Sequence, residues 1–341
     1  MQRSYASAVG ALLESREPSV RWKVRVGILG EDARSKSVRA LREEIRTSPR
    51  ARALLARRDS EGSIKTRHTI YDKWQGAHWI LASLADLGYP EGASTLFPVR
   101  DQVLDCWLSR EFYEEFEATG KEDAYKKIGV PVIQGRPRRC ASQQGYALYY
   151  LITLGLENDR VHDLAERLLH WQWPDGGWNC DKKATAVNST FIHTIHCMRA
   201  LSLYGTRFRK PEAKVAATRA SEIFLSRSLF KRRSDGACMK TEFAKLHYPL
   251  YWHYDILFGL RVMAETGHLD DPRCGPALDL LEQKRLPDRG WPAESRYYSV
   301  SQDVKMNADY VDWGGVSKKR MNPWVTADAL SVLVKAGRYT P

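Results

Sequence analysis

Six times along this chain an apolar helical stretch runs into a glycine. KVRVGILG ends at Gly30, LASLADLG at Gly88, LYYLITLG at Gly155, MRALSLYG at Gly205, LRVMAETG at Gly267 and LSVLVKAG at Gly337. A glycine just past the last turn stops a helix, because it accepts the left-handed backbone that other residues resist. Successive glycines lie 50 to 70 residues apart, room for one helix pair and its loops. The chain therefore reads as a helical repeat protein, each unit burying its apolar face on the next.

A second signal recurs out of phase. Gln172-Trp173-Pro174-Asp175-Gly176-Gly177-Trp178 can continue neither helix nor strand; its glycines allow positive φ and Asp175 can bond its own turn. Trp178 is expected to plug the gap between the helix ending here and the one beginning near Ser189. Weaker copies stand at 234–238, 287–291 and 60–64. Apolar inner helices are expected at 20–29, 71–87, 140–154, 189–204, 249–266 and 323–336. Outer ones are expected at 2–15, 36–58, 95–117, 159–173, 211–228 and 274–285. No β-rich segment breaks the alternation, and the polar end caps of an open solenoid are missing. The expectation is one all-α domain over 1–341, a closed (α/α)6 toroid of six inner and six outer helices.

Short links follow the inner helices, and long ones (118–139, 179–188, 239–248 and 292–322) return to them. Long loops gathered on one face put ligand binding there. These four loops carry 15 Lys and Arg against 8 Asp and Glu, within a chain of formal charge +12. That predicts a basic mouth and an anionic ligand or partner, the alternative being a generally basic surface. The arginine-rich helix at 36–58 reads as a solvated face. Segment 292–322, with Gly314-Gly315 and Tyr297, Tyr298, Tyr310 and Trp313, is expected to be a mobile lid. No apolar run approaches 18 residues, so no transmembrane helix is expected. The N-terminal stretch lacks the uncharged core of a secretion signal. With six scattered cysteines and no CxxC pair, free thiols in a cytoplasmic protein are expected.

Counting back from each glycine aligns the inner helices. Twelve residues back stand Gly76, Gln143, His193, Asp255 and Val325; nine back stand Trp79, Tyr146, His196, Phe258 and Asp328. His78, Trp252, His253, Tyr254 and Trp324 lie nearby, making these helices richer in rings than a plain core. Asp255 is the candidate proton donor or acceptor, since a buried carboxylate is costly unless paired or functional. His193 and His253 are the residues that would tune it. Gln143, Tyr146, His196, Trp79, His78, Tyr254, Trp252 and Trp324 are the candidate substrate-binding set. Against these stand packing readings: a satisfied core histidine, a carboxylate partnering a neighbour, aromatics filling space. His193 and His196 share a helix face and could ligate a metal or exchange protons.

The turn at 172–178 and the repeat arrangement resemble the terpenoid cyclase and protein prenyltransferase toroid superfamily, squalene–hopene cyclases especially, with their QW repeats. The resemblance implies the toroid fold and an aromatic cavity. It does not supply the chemistry: the stretch corresponding to the cyclases' acid motif reads Thr190-Phe191-Ile192-His193, and the prenyltransferases' zinc ligands fall on Val187 and Ser189. No zinc and no cofactor are therefore expected; stoichiometric zinc on His193, His196 and Cys197 or Asp255 would overturn this. The leading expectation is a terpenoid cyclase-like protein doing acid/base chemistry on an isoprenoid or other anionic apolar small molecule. The alternatives are a non-catalytic binder of an anionic lipid or polyprenyl ligand, and a polysaccharide lyase or hydrolase, hinted at by Arg289-Gly290-Trp291-Pro292. Nucleic acid is not an expected partner, because the basic residues ring a cavity mouth. Peripheral membrane contact and oligomeric state stay open.

Overall fold

The computed structural model describes residues 6–288 and 290–341; the predicted start of the first helix and Arg289 lie outside the described residues. The fold is all-α in the main. Its α-helices are α1 (Ala6–Leu13), α2 (Pro18–Gly27), α3 (Lys36–Arg46), α4 (Pro49–Leu55), α5 (Ala77–Leu87), α6 (Phe97–Trp107) and α7 (Ser142–Thr153). They continue with α8 (Arg160–His170), α9 (Phe191–Arg207), α10 (Pro211–Leu225), α11 (Thr241–Ala244), α12 (Ile256–Glu265), α13 (Gly275–Gln283) and α14 (Pro323–Lys335). The predicted inner helices are α2, α5, α7, α9, α12 and α14. Along the chain α5 packs on α7, α7 on α9, α9 on α12 and α12 on α14, and α14 packs back on α2. No helix among the described residues is long and apolar enough to cross a membrane.

Local chemistry moves several predicted boundaries. The helix expected at 36–58 is two, because Ser48 caps α4 with Pro49 at its first position. Helices α5 and α12 start later than expected, after Gly76 and Asp255 in extended N-cap conformations. Gly205 is not a stop. Helix α9 runs through it to Arg207, and a Cβ at 205 would lie 2.7 Å from Lys214 Cγ and 2.9 Å from the Lys210 carbonyl. This glycine serves the close approach of α10. The outer helix predicted to reach 117 ends at Trp107. Short strands β1 (Glu115–Glu117), β2 (Val130–Ile133) and β3 (Arg136–Pro137) follow it, β2 parallel to β1 and antiparallel to β3. A parallel pair, β4 (Ser299–Val300) and β5 (Ala308–Asp309), lies within the predicted lid.

Two joints use one hydrogen-bond scheme. Trp178 is buried, its Nε1 donating to the Leu168 carbonyl at 3.0 Å and its N–H to Thr194 Oγ1 at 3.2 Å. Trp291 is buried in the same way, Nε1 donating to the Leu281 carbonyl at 2.7 Å and N–H to Thr326 Oγ1 at 2.9 Å. Asp175 accepts from Ser189, and Asp288 from Met321. Each joint thus ties the end of one helix to the start of another, as expected of Trp178.

The segment 292–322, the expected lid, packs over the fold as a roof. Ala308, Asp309, Tyr310 and Trp313 are buried. Trp74 N–H donates to the Ala308 carbonyl at 2.9 Å and Asn322 Nδ2 to the Trp313 carbonyl at 2.9 Å. The arginine-rich face is not simply solvated either. Arg50 donates to the Asp312 carbonyl at 3.2 Å and stacks on Trp324, and Arg57 donates to the Gln302 carbonyl and stacks on Tyr310.

Candidate functional site

Above the N-termini of the apolar helices lies an open groove with a cavity volume of about 430 Å³. It is lined among others by Lys73, Trp74, Trp252, His253, Arg296 and Tyr297. His253 is sandwiched between Trp252 (centroids 4.0 Å apart) and Tyr297 (3.4 Å). Its Nδ1 lies 3.0 Å from the Leu250 carbonyl, so the N–H is on Nδ1 and Nε2 keeps its lone pair. Desolvation by burial lowers its pKa to about 4, which keeps the ring neutral. Lys73 lies over the Trp74 and Trp252 rings and Arg296 over Tyr298. Among the described residues no carboxylate pairs with either cation.

The groove's floor is the roof of a narrow chamber. Trp74 stacks on Tyr251 at 3.9 Å, and Tyr251 lines the chamber with Tyr146, Tyr248, Phe258 and Trp313. The chamber's cavity volume is only about 50 Å³, room for a few waters. Tyr251 OH donates to Asp309 Oδ2 at 2.5 Å, and desolvation raises the Asp309 carboxyl above its ordinary range.

Below the chamber four helices meet in a square of alternating charge. Lys23 Nζ lies 3.1 Å from both Asp86 and Asp328; Arg261 lies 3.1 Å from Asp86 and 2.6 Å from Asp328. Tyr248 OH donates to Asp86 at 2.7 Å. Desolvation raises the Asp86 carboxyl, but the Lys23 and Arg261 cations outweigh it and hold the pKa far below the carboxylate range. Beside the square, Arg199 pairs with Glu265 and stacks on Tyr149. A second cavity, about 170 Å³, lies at the helices' other ends and shares Asp86, Arg261 and Asp328 with the chamber. Sequence reasoning placed Asp328 in a column but missed Lys23, Asp86 and Arg261. The usable signal was a charge inside an apolar helical stretch, costly there unless paired.

The predicted catalytic trio is not brought together. Asp255 is fully buried as the N-cap of α12: Oδ1 accepts from Phe258 N–H, and Oδ2 from His247 N–H, with His247 Nδ1 at 3.2 Å. It faces neither groove nor chamber, because the helix in which it was expected starts one residue later. His253 is in the groove. His193 is on α9 beside Cys180.

The predicted binding set also divides. Trp252 lines the groove and Tyr146 the chamber. Tyr254, Trp324 and Trp79 are core: their polar atoms donate to the Leu229 carbonyl, Ser19 Oγ and the Tyr71 carbonyl. His78 is buried, Nδ1 accepting from Trp107 and Tyr150, and desolvation lowers its pKa to about 3. His196 lies between Tyr146 and Phe258, also kept neutral by desolvation, then by Arg199. Gln143 accepts from Arg139 at 2.7 Å.

Part of the predicted basic mouth is consumed in structure. Arg138 is buried and donates to the Ile133, Asp181 and Ala186 carbonyls. Cys140, Cys180 and His193 form a further cluster, their ligand atoms all within 4.8 Å of one another. Hydrogen bonding from Cys180 holds the Cys140 thiol below its ordinary pKa and raises that of Cys180. No protein-family model matches this chain, and no curated protein matches it significantly.

Proposed function

We propose that the apolar helices close into an (α/α)6 toroid of terpenoid-cyclase type, and that the groove at its mouth binds an anionic apolar small molecule, an isoprenoid in the first instance. The observation that carries this reading is the pair Lys73 and Arg296, free of carboxylate partners among the described residues and lying over the rings of Trp252 and Tyr298. The two cations take the anionic head, and the apolar body lies on the aromatic faces. The chamber's aromatic wall would receive the tail once Trp74 and Tyr251 part, since about 50 Å³ admits no chain. The proton-accepting position passes from Asp255 to His253, which lines the groove and whose Nε2 keeps its lone pair.

The open groove favours a second reading, an acidic sugar. There Lys73 and Arg296 would neutralise a carboxylate and the rings would stack on the sugar. Calorimetry with farnesyl diphosphate, farnesol and oligogalacturonate separates the two. We expect the diphosphate to bind, the alcohol to bind at least tenfold more weakly, and Lys73→Ala/Arg296→Ala to lose the diphosphate. Preference for oligogalacturonate would replace the first reading with the second. Unchanged binding in the double variant would remove the groove from both.

A further inference from the structure

The structure assigns a metal site that the sequence did not lead us to expect: we propose that Cys140, Cys180 and His193 bind one zinc ion, with a fourth position open to water or an anionic ligand beside Arg139. The proposal stands apart from the groove. Three segments meet here: the residues just before α7, the return from the Trp178 turn, and the first turn of α9. The three donor atoms lie within 4.8 Å of one another, Cys180 Sγ to His193 Nε2 at 3.2 Å. Tetrahedral zinc, with bonds of about 2.3 Å to sulfur and 2.0 Å to nitrogen, places its ligand atoms about 3.5–3.8 Å apart. A small adjustment seats the ion. Two thiolates and an imidazole are a ligand set that selects zinc, and three protein ligands leave one position free.

Two independent features point the same way. Thr190 is the N-cap residue of α9, yet its side chain makes no capping bond. Its Oγ1 lies 2.6 Å from His193 Nδ1 instead, fixing the ring with Nε2 toward the sulfurs, as an outer partner does for a metal-bound histidine. Asn322, at the same step of the second joint, does cap its helix. Ala293 and Val325 occupy the steps of Cys180 and His193 there, so the ligands belong to the first joint alone. The second feature is Arg139. It has no carboxylate partner among the described residues and lies over Phe112 at 4.6 Å, bonded to Gln143 and to the Gln144 amide oxygen. It directly precedes Cys140 in the chain. A zinc with two thiolates and one imidazole is neutral, so the guanidinium favours a fourth ligand that is an anion, hydroxide or a substrate thiolate.

The test uses untagged protein purified under reducing conditions. Elemental analysis should give one zinc per chain. Cobalt(II) replacing it should show the near-ultraviolet thiolate-to-cobalt band and strong visible bands of a tetrahedral site. Cys140→Ser, Cys180→Ser and His193→Gln should each weaken binding by at least a hundredfold, Thr190→Ala by ten- to a hundredfold, and Cys238→Ser should change nothing. Because a ligand variant could fail to fold, alkylation of the wild-type chain provides a second readout. Zinc should shield Cys140 and Cys180 from iodoacetamide, and a chelator should expose them. Substoichiometric metal after zinc loading, equal alkylation with and without zinc, or a Cys140–Cys180 disulfide in the reduced preparation would each overturn the site.

Discussion

The joints at Trp178 and Trp291 are one device put to two uses. Each buries an indole, ties its Nε1 to a carbonyl ten residues back and its N–H to a threonine hydroxyl ahead. Each also bonds the indole residue's carbonyl to the N-cap backbone, from Thr190 N–H at 3.1 Å and Asn322 N–H at 2.8 Å. What differs is the chain between indole and cap. The first return is short and carries Cys180; the second is the roof over the chamber. The structural frame repeats, while the chemistry sits in the residues that the frame leaves free.

If the frame is shared, damage to it should cost the same at both joints. Trp178→Ala and Trp291→Ala should each destabilise by about 3–5 kcal/mol, as truncation of a buried aromatic does, read as matched shifts in denaturant midpoint. A large loss at one and none at the other would end the equivalence.

The threonines refine the comparison. Thr326 Oγ1 both accepts from Trp291 N–H and donates to its carbonyl at 3.1 Å, while Thr194 Oγ1 accepts from Trp178 N–H. Thr→Val leaves a buried N–H unpaired at about 1–3 kcal/mol. Urea denaturation should place Thr326→Val toward the upper end and Thr194→Val toward the lower. The reverse order would mean that the joints are held by packing alone.

The caps give the smallest and sharpest contrast. Asn322 accepts from Trp324 and Val325 N–H, so Asn322→Ala should cost about 1 kcal/mol for the cap and about 1 kcal/mol more for the bond to the Trp313 carbonyl. Thr190 spends its hydroxyl on His193, and Thr190→Ala should cost metal-free protein only a few tenths of that. Equal losses, measured with chelator present, would return Thr190 to an ordinary capping role.

How far the site could be read from sequence follows the range of the forces involved. His253, Trp252 and Tyr146 were legible because rings at helix starts are unusual. Asp255 was expected inside a helix and is its N-cap: a carboxylate one residue before a helix and one inside it look alike in sequence, yet the first satisfies backbone N–H groups and the second faces a neighbour. Lys23 and Asp328 stand 305 residues apart, and nothing local couples them. Cys140 belongs to a different repeat from Cys180, so no spacing rule joined them.

By itself the sequence determined the helix alternation, the stops at Gly88, Gly155, Gly267 and Gly337, and the burial of Trp178. These rest on φ preferences, apolar periodicity and turn chemistry, all acting within a few residues. Tertiary structure alone decided the charge square, the seating of the roof by Arg50 and Arg57, and the meeting of Cys140 with Cys180 and His193. Each depends on which helix ends come within a few ångströms of one another, and that is set by the packing of the whole chain.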